Sequence, residues 1–116
     1  MYEVHMYKTK RGDSPVKDFL GGLQIKVRAK VDKWIEYLKI HGHNLPRPYA
    51  DYLRDKIYEL RISHGKLEIR LLYFFWNNNI IIVTNGFFKK IRETDPKEID
   101  KAINYMNDFI SRQEVR

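Results

Sequence analysis

Two arginines stand inside the most strand-like part of this chain, Arg61 in "YELRI" and Arg70 in "LEIRLLYFF", on either side of a Ser-His-Gly-Lys turn. A guanidinium stays charged at any ordinary pH, so an arginine set into an apolar alternation needs either an acidic partner or a site that expects an anion. Glu59 and Glu68 could supply partners across the strands, as surface pairs worth ~0.2–1 kcal/mol each. The other reading is a cationic face. Arg54, Lys56, Lys89, Lys90 and Arg92 are also in or beside predicted strands, and a meander of the last three strands would line Arg61, Arg70, Lys89 and Lys90 along one concave surface. Arginines of that kind would face solvent and substrate and contribute little to the core. Phe87 and Phe88 beside Lys89-Lys90 add the aromatic-plus-cation composition used on single-stranded nucleic acid, with Phe87 as a stacking candidate. The run from Tyr73 to Trp76 has the simpler reading of core.

Other chemistries find few residues. The chain has no cysteine, hence no disulfide framework, thiolate metal site or cysteine nucleophile. His5, His41, His43 and His64 fall at predicted strand starts, helix ends and turns, and no pair has the i,i+4 spacing of a helical metal site. Neither a glycine-rich phosphate loop nor a nucleophile elbow is present. A mechanism without metal or cofactor is expected.

The elements that would carry these residues can be read from periodicity. Tyr2 to Lys8 alternates as a strand. Ser14 as N-cap and Pro15 in the first turn open a helix with Val16, Phe19, Leu20 and Leu23 at helical spacing, interrupted at Gly21-Gly22. From Gln24, Val27, Val31, Trp34, Ile35 and Leu38 form the stripe of a second helix that stops at His41-Gly42. "HNLPRPYA" reads as a proline-stiffened loop. Strands follow over "KIYELRI", "KLEIRLLYFF" and "IIIVTNGFF", the last with the β-branched run of a central strand covered on both faces. Asp95 as N-cap, Pro96, and Glu98 closing a capping box begin a final helix with Ile99, Ala102, Ile103, Met106 and Ile110 on its stripe. The order β-α-α-β-β-β-α implies a single α+β domain over residues 1–116, with helices packed on an antiparallel sheet.

Composition agrees with one compact domain. A chain of 116 residues can bury roughly two thirds of its unfolded surface around one core. The 22 Lys and Arg against 15 Asp and Glu leave a formal charge of +7, which suits a nucleic acid or an acidic protein as partner and distinguishes neither. No signal peptide and no apolar run near the ~20 residues of a membrane span can be read, so no membrane partner and a cytoplasmic location are expected.

The succession "LRDKIYELRI", "EIRLLYFF", "IIIVTNGFFKKIRETDPKEIDKA", with "SPVKDFL" near the start, resembles the RelE/ParE superfamily of toxin–antitoxin toxins over nearly the whole chain, and within it the HigB-like, phage-derived branch. The resemblance implies an mRNA interferase: a ribonuclease that enters the ribosomal A site and cuts translated mRNA without a metal, leaving a cyclic phosphate and a 5′-hydroxyl. It makes Arg70 the phosphate-binding arginine, with Arg61 on the neighbouring strand and Lys89 and Lys90 after the last one. Arg54, Lys56, Phe87 and Arg92 are the expected RNA contacts. It also implies a cognate antitoxin, a small helix-turn-helix protein encoded adjacently, beside the ribosome and mRNA as partners. The chain departs from the family pattern at Asn85, where many relatives have histidine, and at Ile57 and Glu59, where RelE-type toxins have lysines. The general base therefore stays open between Glu59, weakened by pairing with Arg61, and Lys89 or Lys90 with a pKa lowered by mutual repulsion. Two other functions remain: a ParE-like inhibitor of DNA gyrase, and a phage-derived RNA- or protein-binding domain without catalysis.

Overall fold

The structure, a computed structural model, describes residues 1–114. Strand β1 (Glu3–Met6) leads into helices α1 (Pro15–Gly21) and α2 (Ile25–His41) and a short 3-10 turn, Gly42–Asn44. Four strands follow, β2 (Ala50–Arg54), β3 (Ile57–His64), β4 (Leu67–Trp76) and β5 (Ile80–Phe88), and helix α3 (Pro96–Glu114) ends the described chain. The sheet has the order β1-β5-β4-β3-β2.

This is the expected α+β class, with two differences in the sheet. Ala50–Arg54, which begins at the last residue of the expected proline-stiffened loop and for which no strand is expected, is an edge strand antiparallel to β3. Its five residues are joined to β3 through Asp55 and Lys56, both at positive φ, a hairpin geometry that usually announces itself with glycine. In addition, β1 pairs parallel with β5, so the sheet is antiparallel except at that edge.

Both faces of the sheet are covered. Leu60, Ile62, Ile69, Leu71, Tyr73, Ile81 and Val83 pack with Val16, Leu20, Val27, Val31 and Leu38 of α1 and α2. On the other side Ile57, Leu72, Phe74 and Ile82 pack with Ile99, Ala102 and Met106 of α3. Each apolar face expected of the strands thus meets a helix stripe.

The caps hold these helices as their residue types dictate. Ser14 accepts from the Lys17 amide at 3.3 Å, and Asp95 from that of Lys97 at 2.9 Å. The capping box at Glu98 does not form: its Oε1 instead accepts from Asn85 Nδ2 at 3.1 Å, which ties the start of α3 to β5. Gly86 permits the close approach of α1, since a Cβ there would lie 2.6 Å from Phe19 and 2.7 Å from Leu71.

One irregularity decides which side chains reach the site. The pairing of β4 with β5 shifts between Leu72 and Tyr73, whose partners are Asn85 and Val83, leaving Thr84 as the extra residue of a bulge. A bulge reverses the face on which every later residue of its strand points. Ile81 and Val83 face α1 and α2, whereas Phe87 packs on the α3 side.

Candidate functional site

Arg61 and Arg70 are directly opposite each other on β3 and β4, with Phe87 next in the row. The preceding row carries Asp51, Glu59, Leu72 and Asn85 across four strands on the same face. Two cations are therefore one pleat away from two carboxylates, and the side chains connect.

Arg61 Nε donates to Glu59 Oε2 at 2.8 Å and Nη2 to Asp51 Oδ2 at 3.1 Å. Thr94, from the segment between β5 and α3, donates its hydroxyl to the other Glu59 oxygen. Arg70 Nη1 donates to Glu68 Oε1 at 3.3 Å and to the Ile69 carbonyl at 3.0 Å, while Nε is 3.8 Å from Glu59 Oε1. Ser63 donates to Glu68 at 2.6 Å, and that hydrogen bond, followed by Arg70, holds the Glu68 carboxyl below its usual pKa.

Both arginines are thus ion-paired, each with the glutamate two residues before it on its own strand and also across strands, Arg61 with Asp51 of β2 and Arg70, at the longer distance, with Glu59 of β3. Nor is the arrangement on the surface: Arg70 is 5% and Glu59 2% exposed. The expectation that Arg70 faces solvent is corrected here, because its neighbours bury it. Glu59 has both oxygens engaged, which makes it a clamp for Arg61 rather than an open base.

On the α3 side of β3 is a cleft of about 330 Å³ lined by Arg54, Glu59, Arg61, Lys89, Arg92 and Thr94, among others. It brings together five of the expected site residues. Lys89 reaches it because the bulge at Thr84 turns Phe87 and Lys89 to this face, and its amide continues the ladder to the Glu68 carbonyl at 2.8 Å. Arg54 is held by Asp100 at 2.7 Å and Asp55 at 2.9 Å, and these bonds raise its pKa.

The remaining expected residues are elsewhere. Lys90 and Phe87 line a smaller depression with Phe88 and Asp95, which Lys89 shares. Lys56 is exposed in the β2–β3 turn. Arg70 lines a second cleft, on the other side of Arg61. Asn85 is 4% exposed and bonds Glu98 and Thr84, so it is a fastening of α3, not a group open to substrate. Asp51 and Thr94 were not anticipated: Asp51 belongs to the unforeseen edge strand, and Thr94 meets Glu59 over 35 positions of chain.

The model of the family described as phage-derived protein Gp49-like (DUF891) matches residues 18–107, a span that contains both clefts' charged residues. Comparison with curated proteins gave no match.

Proposed function

The chain belongs to the Gp49-like family of phage-derived proteins, and from that premise we propose that it is the toxin of a toxin–antitoxin pair, an endoribonuclease acting on ribosome-bound mRNA. The family is associated with RelE/ParE-like toxins. The assignment to a HigB-like branch, the cytoplasmic location and a small helix-turn-helix antitoxin as partner belong to the same proposal. No helix among the described residues is long and apolar enough to cross a membrane.

One observation carries the reading: Arg54, Arg61, Lys89 and Arg92 converge on one cleft whose only fully buried charged lining residue, Glu59, is spent on fixing Arg61. Arg54 and Arg61 are held by their ion pairs before substrate arrives, and cations so placed stabilise charge as it develops on a phosphate with little reorganisation. In the proposed reaction the ribose 2′-oxygen attacks phosphorus and the bond to the 5′-oxygen breaks, giving a 2′,3′-cyclic phosphate and a 5′-hydroxyl. Lys89 is the proposed acceptor of the 2′-hydroxyl proton, Arg61 and Arg92 neutralise the non-bridging oxygens, and the leaving 5′-oxygen is protonated from water. Lys89 is preferred to Lys90 because only Lys89 lines the cleft with Arg61.

A binding domain without cleavage is the second reading. It is favoured by the full engagement of Glu59 and the burial of Asn85, which leave a lysine as the base. Inducing the protein, mapping mRNA ends on ribosomes and assaying gyrase supercoiling separates the readings. New ends that disappear in Lys89→Ala support the nuclease; inhibited gyrase with no new ends overturns it.

A further inference from the structure

The second cleft, about 360 Å³, is formed by Lys30 and Trp34 of α2, Pro48 and Tyr49 of the loop before β2, and Arg61, Ser63, Glu68 and Arg70 of the β3–β4 hairpin. We propose that it is a subsite for one nucleotide of single-stranded RNA, its phosphate held by Lys30, Arg61 and Arg70 and its base laid against the Trp34–Tyr49 stack. The inference rests on the reading of the chain as an RNA-binding protein and adds where a neighbouring nucleotide is held.

Three observations support it. The first is unused donor capacity. The hydrogen bonds of Arg70 are both made by Nη1, which leaves Nη2 free for a ligand, while Nε is enclosed 3.8 Å from Glu59 without a hydrogen bond. Arg61 uses Nε and Nη2 only, and Lys30 has no hydrogen bond or ion pair among the described residues. Glu68, the carboxylate in the cleft, is bonded by Ser63 and Arg70, so the lining remains net cationic. A buried guanidinium with unmet donors is costly alone and is relieved by an anion.

The second is the aromatic wall. Lys30 and Trp34 are one helical turn apart and share a face of α2. Trp34 is stacked on Tyr49 with ring centroids 4.8 Å apart at 27°, and its other contact, with Tyr37 at 5.0 Å and 78°, is edge-on. Tyr49 is 44% exposed, which leaves ring surface for a base. Stacking on such a platform is worth ~1–3 kcal/mol per base.

The third is that cations and wall are tied together. The Tyr49 carbonyl accepts from the Arg61 amide at 2.8 Å, and the Tyr49 amide donates to the Pro46 carbonyl at 2.9 Å, so the backbone positions that carry ring and guanidinium are tied side by side. Arg61 lines both clefts, and a strand could cross it from this cleft to the one with Lys89. An acidic peptide would use the cations but leave the flat wall unmatched. A nucleotide uses both, and the cleft is within the roughly 300–1,000 Å³ of small-ligand sites.

The test follows the indole N–H signals of the full-length protein by NMR as adenosine 5′-monophosphate, adenosine or inorganic phosphate is added. Of the two tryptophans, Trp76 packs against Phe109 of α3, away from this cleft, and serves as the internal reference. The monophosphate is expected to move the Trp34 signal and not that of Trp76, at concentrations where adenosine or phosphate alone has much less effect. Tyr49→Ala should weaken that binding roughly tenfold or more, and Tyr49→Phe should preserve it. A Trp34 signal indifferent to the monophosphate, or moved equally by phosphate alone, overturns the subsite, as does one that responds only to a co-purifying protein. A Trp34 response in a protein that generates no mRNA ends would remove the nuclease reading and keep the subsite; cleavage with a silent Trp34 would do the reverse.

Discussion

Arg70 and Arg61 differ in what their removal should do, although they are cross-strand partners. Arg70 is almost wholly buried and is a cation beside Glu59 and Glu68, so Arg70→Ala leaves buried carboxylate charge less compensated. Breaking a buried pair from one side costs about 3–5 kcal/mol, and urea unfolding should register a loss of that order. An unchanged midpoint would mean that the guanidinium contributes only to binding. Lys89 and Lys90 give a sharper comparison, since they are adjacent in sequence and only Lys89 lines the cleft with Arg61. Lys89→Ala should lower mRNA cleavage on ribosomes by roughly 10²-fold or more with unchanged stability, and Lys90→Ala should leave it within a few-fold. Equal losses in both variants would remove Lys89 from the role of proton acceptor.

Helix α3 is fastened to the sheet at both ends, and each fastening has a measurable signature. Near its C-terminal end the Tyr7 hydroxyl donates to Asp108 at 2.6 Å, and Arg112 also bonds Asp108. Burial, with the Asp108 carboxylate second, pushes the Tyr7 phenol up to about 12, and the Tyr7 hydrogen bond in turn lowers the Asp108 pKa. A phenol that ionises later in the folded than in the unfolded chain favours folding below pH 10, and stability should fall as pH rises from about 10 to about 12. Asp108 has the opposite sign: its contribution is present above the ordinary carboxylate range and is lost as pH falls through it. Spectroscopic titration should find one tyrosine ionising near pH 12 that moves toward 10 in Asp108→Asn. At the other end, Asn85 donates to the Glu98 carboxylate and carbonyl. Asn85→His should cost about 1–3 kcal/mol by disrupting the buried hydrogen bonds of Asn85 with Glu98 and Thr84, and it should not accelerate cleavage near neutrality. A faster Asn85→His protein would show that this side chain does reach the substrate.

The charge of the entire chain, +7, acts over a longer range than any single pair. Binding of single-stranded RNA should weaken steeply with salt, because each neutralised phosphate releases counterions with a slope of about 0.7 in log K against log salt. The double variant Lys89→Ala/Arg92→Ala, which removes two cations from one cleft, should reduce that slope by about 1.4. A slope unchanged by these substitutions would locate RNA on another surface. Fluorescence anisotropy of a labelled oligonucleotide across a salt series measures it directly.

Much of this molecule is written in short-range pattern. The helices follow from 3.6-residue stripes bounded by Ser14, Gly42 and Asp95, and β3, β4 and β5 from alternation, because a local backbone period needs no knowledge of its partner. Consecutive antiparallel strands predict one cationic face of Arg61, Arg70, Lys89 and Lys90; the cleft holds Arg61 and Lys89 of that set, with Arg54, Glu59 and Arg92 beside them. What sequence leaves open depends on pairing between distant segments. Strand β2 escapes notice because five mixed residues after prolines, closed by a turn without glycine, carry almost no period of their own. The parallel seating of β1 on β5 has no local signature either. The bulge at Thr84 is a property of two strands at once, yet it alone decides that Lys89, and not Lys90, turns toward Arg61. The same holds for the two arginines: their residue type requires an anion, but whether that anion is a buried glutamate or an RNA phosphate depends on the packing around them, and for Arg70 burial among Glu59, Glu68 and the Ile69 carbonyl selects the glutamates first.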